Sequence, residues 1–205
     1  MNVVIVGATS GIGRELWKAY ATGNNKIFVW GRRLPLLEQM KQERKEHTHI
    51  FPVDITKTED ASLCIQKIRQ ECNSIDLVIM CAGIGNLNDS LDYDVELATI
   101  NTNVVAWTYI VDSFYKILED QSEGHLVTIT SVGGLTSSPL APAYAATKAY
   151  QIYLTSRDYD VLKILFLAGN IVVRLILRQV LGSPPPKSYR KMPWLTMRRK
   201  YSPSR

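Results

Sequence analysis

The 205-residue chain is poor in metal-binding side chains: it has three cysteines and three histidines. Cys64, Cys72 and Cys81 form no Cys-x-x-Cys pair, and an odd count without metal spacing reads as reduced core thiols. His47, His49 and His125 are too few and too scattered to suggest zinc, so no metal is expected. No basic stretch followed by an apolar segment opens the chain; Asn2-Val3-Val4-Ile5-Val6-Gly7 enters a strand-like run at once, so no export signal is read and a cytoplasmic location is expected. Acids are missing from residues 161–205, which hold ten Lys/Arg and no Asp or Glu, a charge of +10. Residues 1–160 hold 14 Lys/Arg and 19 Asp/Glu, a charge of −5. The basic residues of the tail are not interleaved on one regular face, so no nucleic-acid partner is expected. With 46% hydrophobic and 21% charged residues, the chain is neither disordered throughout, nor collagen-like, nor a disulfide scaffold. Its length suits one domain.

What is present alternates. Residues 3–6, 26–30, 50–53, 77–80 and 126–130 read as short apolar strands. Between them, residues 12–20, 34–46, 58–72 and 91–118 carry helical spacing, and residues 143–162 form a further helix. Strands that do not alternate apolar with polar residues are buried on both faces. This pattern predicts an α/β fold with a doubly wound parallel sheet. Residues 164–182 are apolar, but Arg174 and Arg178 would each cost about 2.5–3.5 kcal/mol at mid-bilayer. They read as a buried strand, and no transmembrane segment is expected. Ser183-Pro184-Pro185-Pro186 breaks regular structure. The expected organisation is a domain over residues 1–182 and a poorly ordered, basic, proline-rich tail over 183–205.

Gly7-Ala8-Thr9-Ser10-Gly11-Ile12-Gly13 joins the first strand to the first helix. Gly7 allows a tight turn, Gly11 lets backbone approach a diphosphate, and Gly13 permits close helix–strand packing. The helix N-terminus then offers unpaired N–H groups to the phosphates. The end of the second strand selects the nucleotide: an acid there takes the ribose hydroxyls, an arginine the 2′-phosphate. The chain reads Trp30-Gly31-Arg32-Arg33. A guanidinium holds a phosphate bidentately. NADP(H) is therefore the expected cofactor and NAD(H) the alternative.

Tyr144 and Lys148 stand four residues apart at the head of a helix, on one face. A nearby ammonium favours phenolate and lowers a tyrosine pKa from about 10, which suits general acid–base work. Ser131 follows the fifth strand, at the end of the sheet where ligands bind. With these motifs in order, residues 2–160 resemble the short-chain dehydrogenase/reductase family, on Gly7/Gly11/Gly13, Asp54, Ala82-Gly83, Asn103, Ser131, Tyr144 and Lys148. The resemblance implies a Rossmann-type sheet and a small-molecule carbonyl or alcohol substrate. It makes Tyr144 the proton donor to the carbonyl oxygen. Lys148 lowers its pKa and holds the nicotinamide ribose, and Ser131 binds the carbonyl oxygen. Asn103 positions a water in a proton relay. Asp54 and Ile55 contact adenine, and Thr9, Ser10 and Ile12 line the phosphate and ribose site. Ala82 and Gly83 let the cofactor approach, and Arg32 binds the 2′-phosphate. It also implies a homo-oligomer packed through residues 91–118 and 143–162, with Trp107, Tyr109, Tyr150 and Tyr153 available as anchors; Trp17 and Trp107 read also as packing residues.

The chain departs from the family in two places. Met80-Cys81-Ala82-Gly83 lacks the asparagines common before Ala-Gly. Asn170-Ile171-Val172-Val173 resembles the start of the next family strand, but no Pro-Gly follows, and the lid and last strand read as missing or replaced. An abrupt loss of this kind suggests a reading-frame shift in the coding DNA. The leading function is an NADP(H)-dependent oxidoreductase. Its alternatives are a cofactor-binding protein with little or no turnover and a basic-tailed interaction scaffold.

Overall fold

Runs such as Val3-Val4-Ile5-Val6 bury side chains on both faces, and the computed structural model of the protein sets them side by side in a parallel sheet. The structure describes residues 1–136 and 138–155, and the backbone of residues 162–165. In chain order the elements are β1 (Asn2–Val6), α1 (Gly11–Tyr20), β2 (Lys26–Gly31), α2 (Leu34–Glu43), β3 (Thr48–Pro52), α3 (Thr58–Glu71) and β4 (Leu77–Met80). There follow α4 (Tyr93–Ile100), a π turn (Asn101–Ala106), α5 (Trp107–Gln121), β5 (His125–Ile129), a tight turn (Val132–Gly134), α6 (Pro142–Thr155) and β6 (Leu162–Leu165). Strand order is β3-β2-β1-β4-β5-β6, every neighbouring pair parallel. The order reverses direction after β1, so the C-terminal ends of β1 and β4 open a crevice.

Alternate residues of each strand serve opposite layers. Val4, Val6, Phe28, Trp30, Val78 and Met80 join Ile65 and Ile68 of α3 and Trp107, Ile110 and Phe114 of α5 in one buried cluster. Val3, Ile27 and Thr48 share a register row and point the other way. There the α1 indole of Trp17 donates to Thr48 Oγ1 at 3.0 Å, both groups buried.

Several boundaries differ from the sequence reading. α2 stops at Glu43 rather than 46, because Arg44 leaves helical geometry (φ −139°, ψ 61°). β3 starts at Thr48 rather than 50 and so includes His49. His49 is half-buried against the Phe28 ring at 5.0 Å, and its Nδ1 lies 2.7 Å from Glu71. The long or broken helix expected over 91–118 is broken by the π turn, and α4 is capped by Asp92, whose carboxylate accepts from the Asp94 N–H at 2.9 Å. α6 is described over Pro142–Thr155, and Leu162, expected in that helix, opens β6, paired with Leu126.

The strand expected at 170–173 and the domain boundary at 182 lie outside the described residues. Trp107, expected as an oligomer anchor, is fully buried against the sheet, and Tyr109 packs on the same core. Tyr150 and Tyr153 remain exposed. The three thiols are free and half-buried. Among the described residues no helix is long and apolar enough to cross a membrane, and no cluster of metal-ligating side chains occurs.

Candidate active site

The junction of β1 and α1 is closely packed. Gly7 has φ +89°, and a Cβ there would stand 2.7 Å from the Ala82 nitrogen at the end of β4. A Cβ on Gly13 would stand 2.2 Å from the Gly7 carbonyl oxygen, so α1 starts directly against the strand end. Its first turn carries no acid, and its N-cap Ser10 makes no side-chain capping bond. The first N–H groups of α1 therefore still face outward with the positive end of the helix dipole.

A cleft of about 460 Å³ opens from this junction. Gly7, Thr9, Ser10, Gly11, Ile12, Gly13, Arg32, Asp54, Ile55, Ala82 and Gly83, the nucleotide residues expected from sequence, all line it, apart from Tyr144 and Lys148. A glycine cradle, free helical N–H groups and two arginines suit a dinucleotide phosphate. Arg32 is exposed and stands 3.9 Å from the Asp54 carboxylate. Partial burial pulls the Asp54 pKa up, but hydrogen bonds from Thr56 and the charges of Arg32 and Lys57 outweigh it, leaving the carboxyl below its ordinary value.

Arg33 was passed over by the sequence reading. Its Nη2 donates to Thr9 Oγ1 at 2.8 Å and to Ser10 Oγ at 2.7 Å, which lays its guanidinium across the glycine loop. The tandem arginines were visible in sequence; which one turns inward depends on the backbone at the start of α2.

Ser131, Tyr144 and Lys148 come together where β5 ends and α6 begins. Ser131 Oγ accepts from the Gly133 N–H at 3.0 Å, which leaves the hydroxyl proton free to donate elsewhere. Gly133 lies between that hydroxyl and the Tyr144 ring: a Cβ on it would stand 3.3 Å from Ser131 Oγ and 3.5 Å from Tyr144 Cε1. Lys148 Nζ is 5.8 Å from the Tyr144 ring centroid. It also lies against Gly83, where a Cβ would come within 3.4 Å of it, so the ammonium adjoins the cleft wall. Burial lowers the Lys148 pKa to about 8. A Cys81 thiolate would oppose that shift, but burial pushes the thiol up to about 12, so it is uncharged at neutral pH.

Asn103 sits in the π turn and is fully buried. Its Oδ1 accepts from the Ile84 N–H at 2.8 Å, while its Nδ2 donates to the Ile84 carbonyl at 2.7 Å and to Thr147 Oγ1 at 3.1 Å. Asn103 thus pins the chain after β4 to α6. Its own carbonyl accepts from the Gln151 Nε2 amide at 2.8 Å, a residue that no motif had marked.

These positions coincide with a family match. The short chain dehydrogenase family model covers residues 1–159. The chain belongs to that family. A Dictyostelium discoideum dehydrogenase/reductase, SDR family protein 7-like, is 31% identical over 161 residues, which is 71% of this chain and 50% of the relative. Among solved structures, an Escherichia coli serine dehydrogenase shares the fold with TM-score 0.77 at 19% identity, over 90% of this chain and 92% of its own. ElxO with NADP bound shares it with TM-score 0.68 at 24% identity, over 75% of this chain and 64% of that one. The chain spans 50–65% of the length of the curated relatives it matches.

The contact between Gly85 and the tyrosine ring can be tested directly. A Cβ on Gly85 would stand 2.6 Å from Tyr144 Cδ2 and 2.9 Å from Cε2. Gly85→Ala should therefore destabilise the fold by about 1–3 kcal/mol through overpacking. In a Tyr144→Ala background most of that cost should vanish. Urea denaturation of the four proteins gives the coupling, and additive effects would show that the ring does not depend on this gap.

Proposed function

We propose that the protein is an NADP(H)-dependent oxidoreductase that interconverts a carbonyl and an alcohol on a small-molecule substrate by hydride transfer. The observation that carries this reading is the packing of Lys148 beside Tyr144 and against Gly83 of the glycine-lined cleft, with Gly133 between Tyr144 and Ser131. The NADP in ElxO supports the choice of nucleotide. The glycine loop and the start of α1 hold the diphosphate, Asp54 and Ile55 flank the adenine, and Arg32 takes the 2′-phosphate. The bound nicotinamide supplies or accepts the hydride.

The chain's own residues handle the proton. Tyr144 gives its phenolic proton to the substrate oxygen as the carbonyl is reduced, and takes it back in the other direction. The Ser131 hydroxyl donates to the same oxygen, since its lone pair is already engaged by Gly133. The Lys148 ammonium stabilises the phenolate and holds the nicotinamide ribose. Desolvation makes that ammonium easier to lose than an exposed one, so activity should fall as pH rises through about 8.

The open groove where Ile100 and Val104 meet Pro142, Ala143 and Ala146 supports a homo-oligomer joined through α4 and α6. Tyr150 and Tyr153, exposed on α6, serve as its anchors.

Three outcomes are expected. The unaltered protein should bind NADPH more tightly than NADH in fluorescence titrations, and Arg32→Ala should narrow the gap; equal affinities at the start would remove the case for NADP. Tyr144→Phe should keep NADPH binding while carbonyl reduction falls by about 10²–10⁴-fold. Undiminished turnover would show that another group gives the proton. Light scattering should report a dimer at micromolar concentration, and a monomer there would count against the α4–α6 interface.

A further inference from the structure

Gln151 is fully buried on α6, one turn beyond Lys148. Lys148 Nζ donates to Gln151 Oε1 at 2.8 Å and to the Ile129 carbonyl at 3.3 Å. The other end of the same amide donates from Nε2 to the Asn103 carbonyl at 2.8 Å. Only one amide orientation satisfies both neighbours, because an ammonium has only donors and a carbonyl only acceptors. A buried amide without partners is costly, and an apolar side chain would pack here without that cost. The side chain therefore serves its two polar contacts.

We infer that Gln151 is a positioning residue that holds Lys148 as an ammonium by bridging it to the Asn103 carbonyl. A carboxamide neither takes up nor releases a proton near neutral pH, so the bridge fixes the ammonium without titrating itself. The inference rests on the roles proposed for Tyr144 and Lys148. The ionisable groups facing Lys148 are Cys81 at the end of β4 and Tyr144 on its own helix.

The test is the titration of the Lys148 side chain, followed by NMR at its ¹³Cε, in the full chain and in Gln151→Glu and Gln151→Met. Glutamate places an opposite charge against the ammonium and should move the titration up by roughly 1–3 pH units. Methionine keeps the bulk but removes the acceptor and should move it down by about one unit or less. The alkaline limb of carbonyl reduction should follow in the same directions. Unchanged titrations in both variants would overturn the bridge. If the methionine variant does not fold, the glutamate variant decides: a rise supports the coupling and no rise ends it. NADPH titration of the unaltered protein, run alongside, separates the two claims. Failure to bind there strikes the proposed function, whereas normal binding with an unmoved lysine strikes Gln151.

Discussion

The close approach of three backbone segments, with Gly13 against the carbonyl of Gly7 and Gly7 against Ala82, is the constraint on which the cleft depends. A side chain at either glycine would push α1 off the end of β1 or β1 away from β4. With both absent, the helix begins at the strand end and its free N–H groups point into the crevice between the central strands. That crevice is where the reversal of strand order leaves room for a ligand. The same packing brings Ala82 and Gly83 to the cleft wall, and through Gly83 the cleft reaches Asn103 and Lys148.

Beside the cleft lies a second, polar layer inside an apolar frame. Asn103, Thr147, Lys148 and Gln151 are all buried, and each meets a specific partner. Their bonds join the chain after β4 to the π turn and to α6. The π turn places Asn103 between those segments, a use of π geometry that recurs at functional sites. Because low local dielectric makes an unpaired group costly, this layer holds one arrangement and keeps Lys148 at a set place beside the tyrosine.

Much of this was legible before any coordinates. Uninterrupted β-branched runs announced a sheet buried on both faces, and the glycine spacing after the first run marked the loop that lines the cleft. Tyr144 and Lys148 shared a helical face by spacing alone. The reading was weaker where two neighbours compete for one role. Arg32 and Arg33 are chemically identical in sequence, yet one faces Asp54 and the other clasps the loop hydroxyls. Trp107 was read both as packing and as an interface anchor, and its place after the π turn directs it into the core.

By itself, then, the sequence determined the α/β class, the order of the strands along the chain and the residues that meet at the cleft, because periodicity and local spacing are properties of short segments. Only the tertiary structure decided which arginine covers the loop and that Gln151 links Lys148 to Asn103. A buried polar side chain takes its meaning from partners that are distant in sequence. The Gln151 amide meets Asn103 across 48 positions of chain, and no local pattern records a contact made only when α6 packs against the π turn.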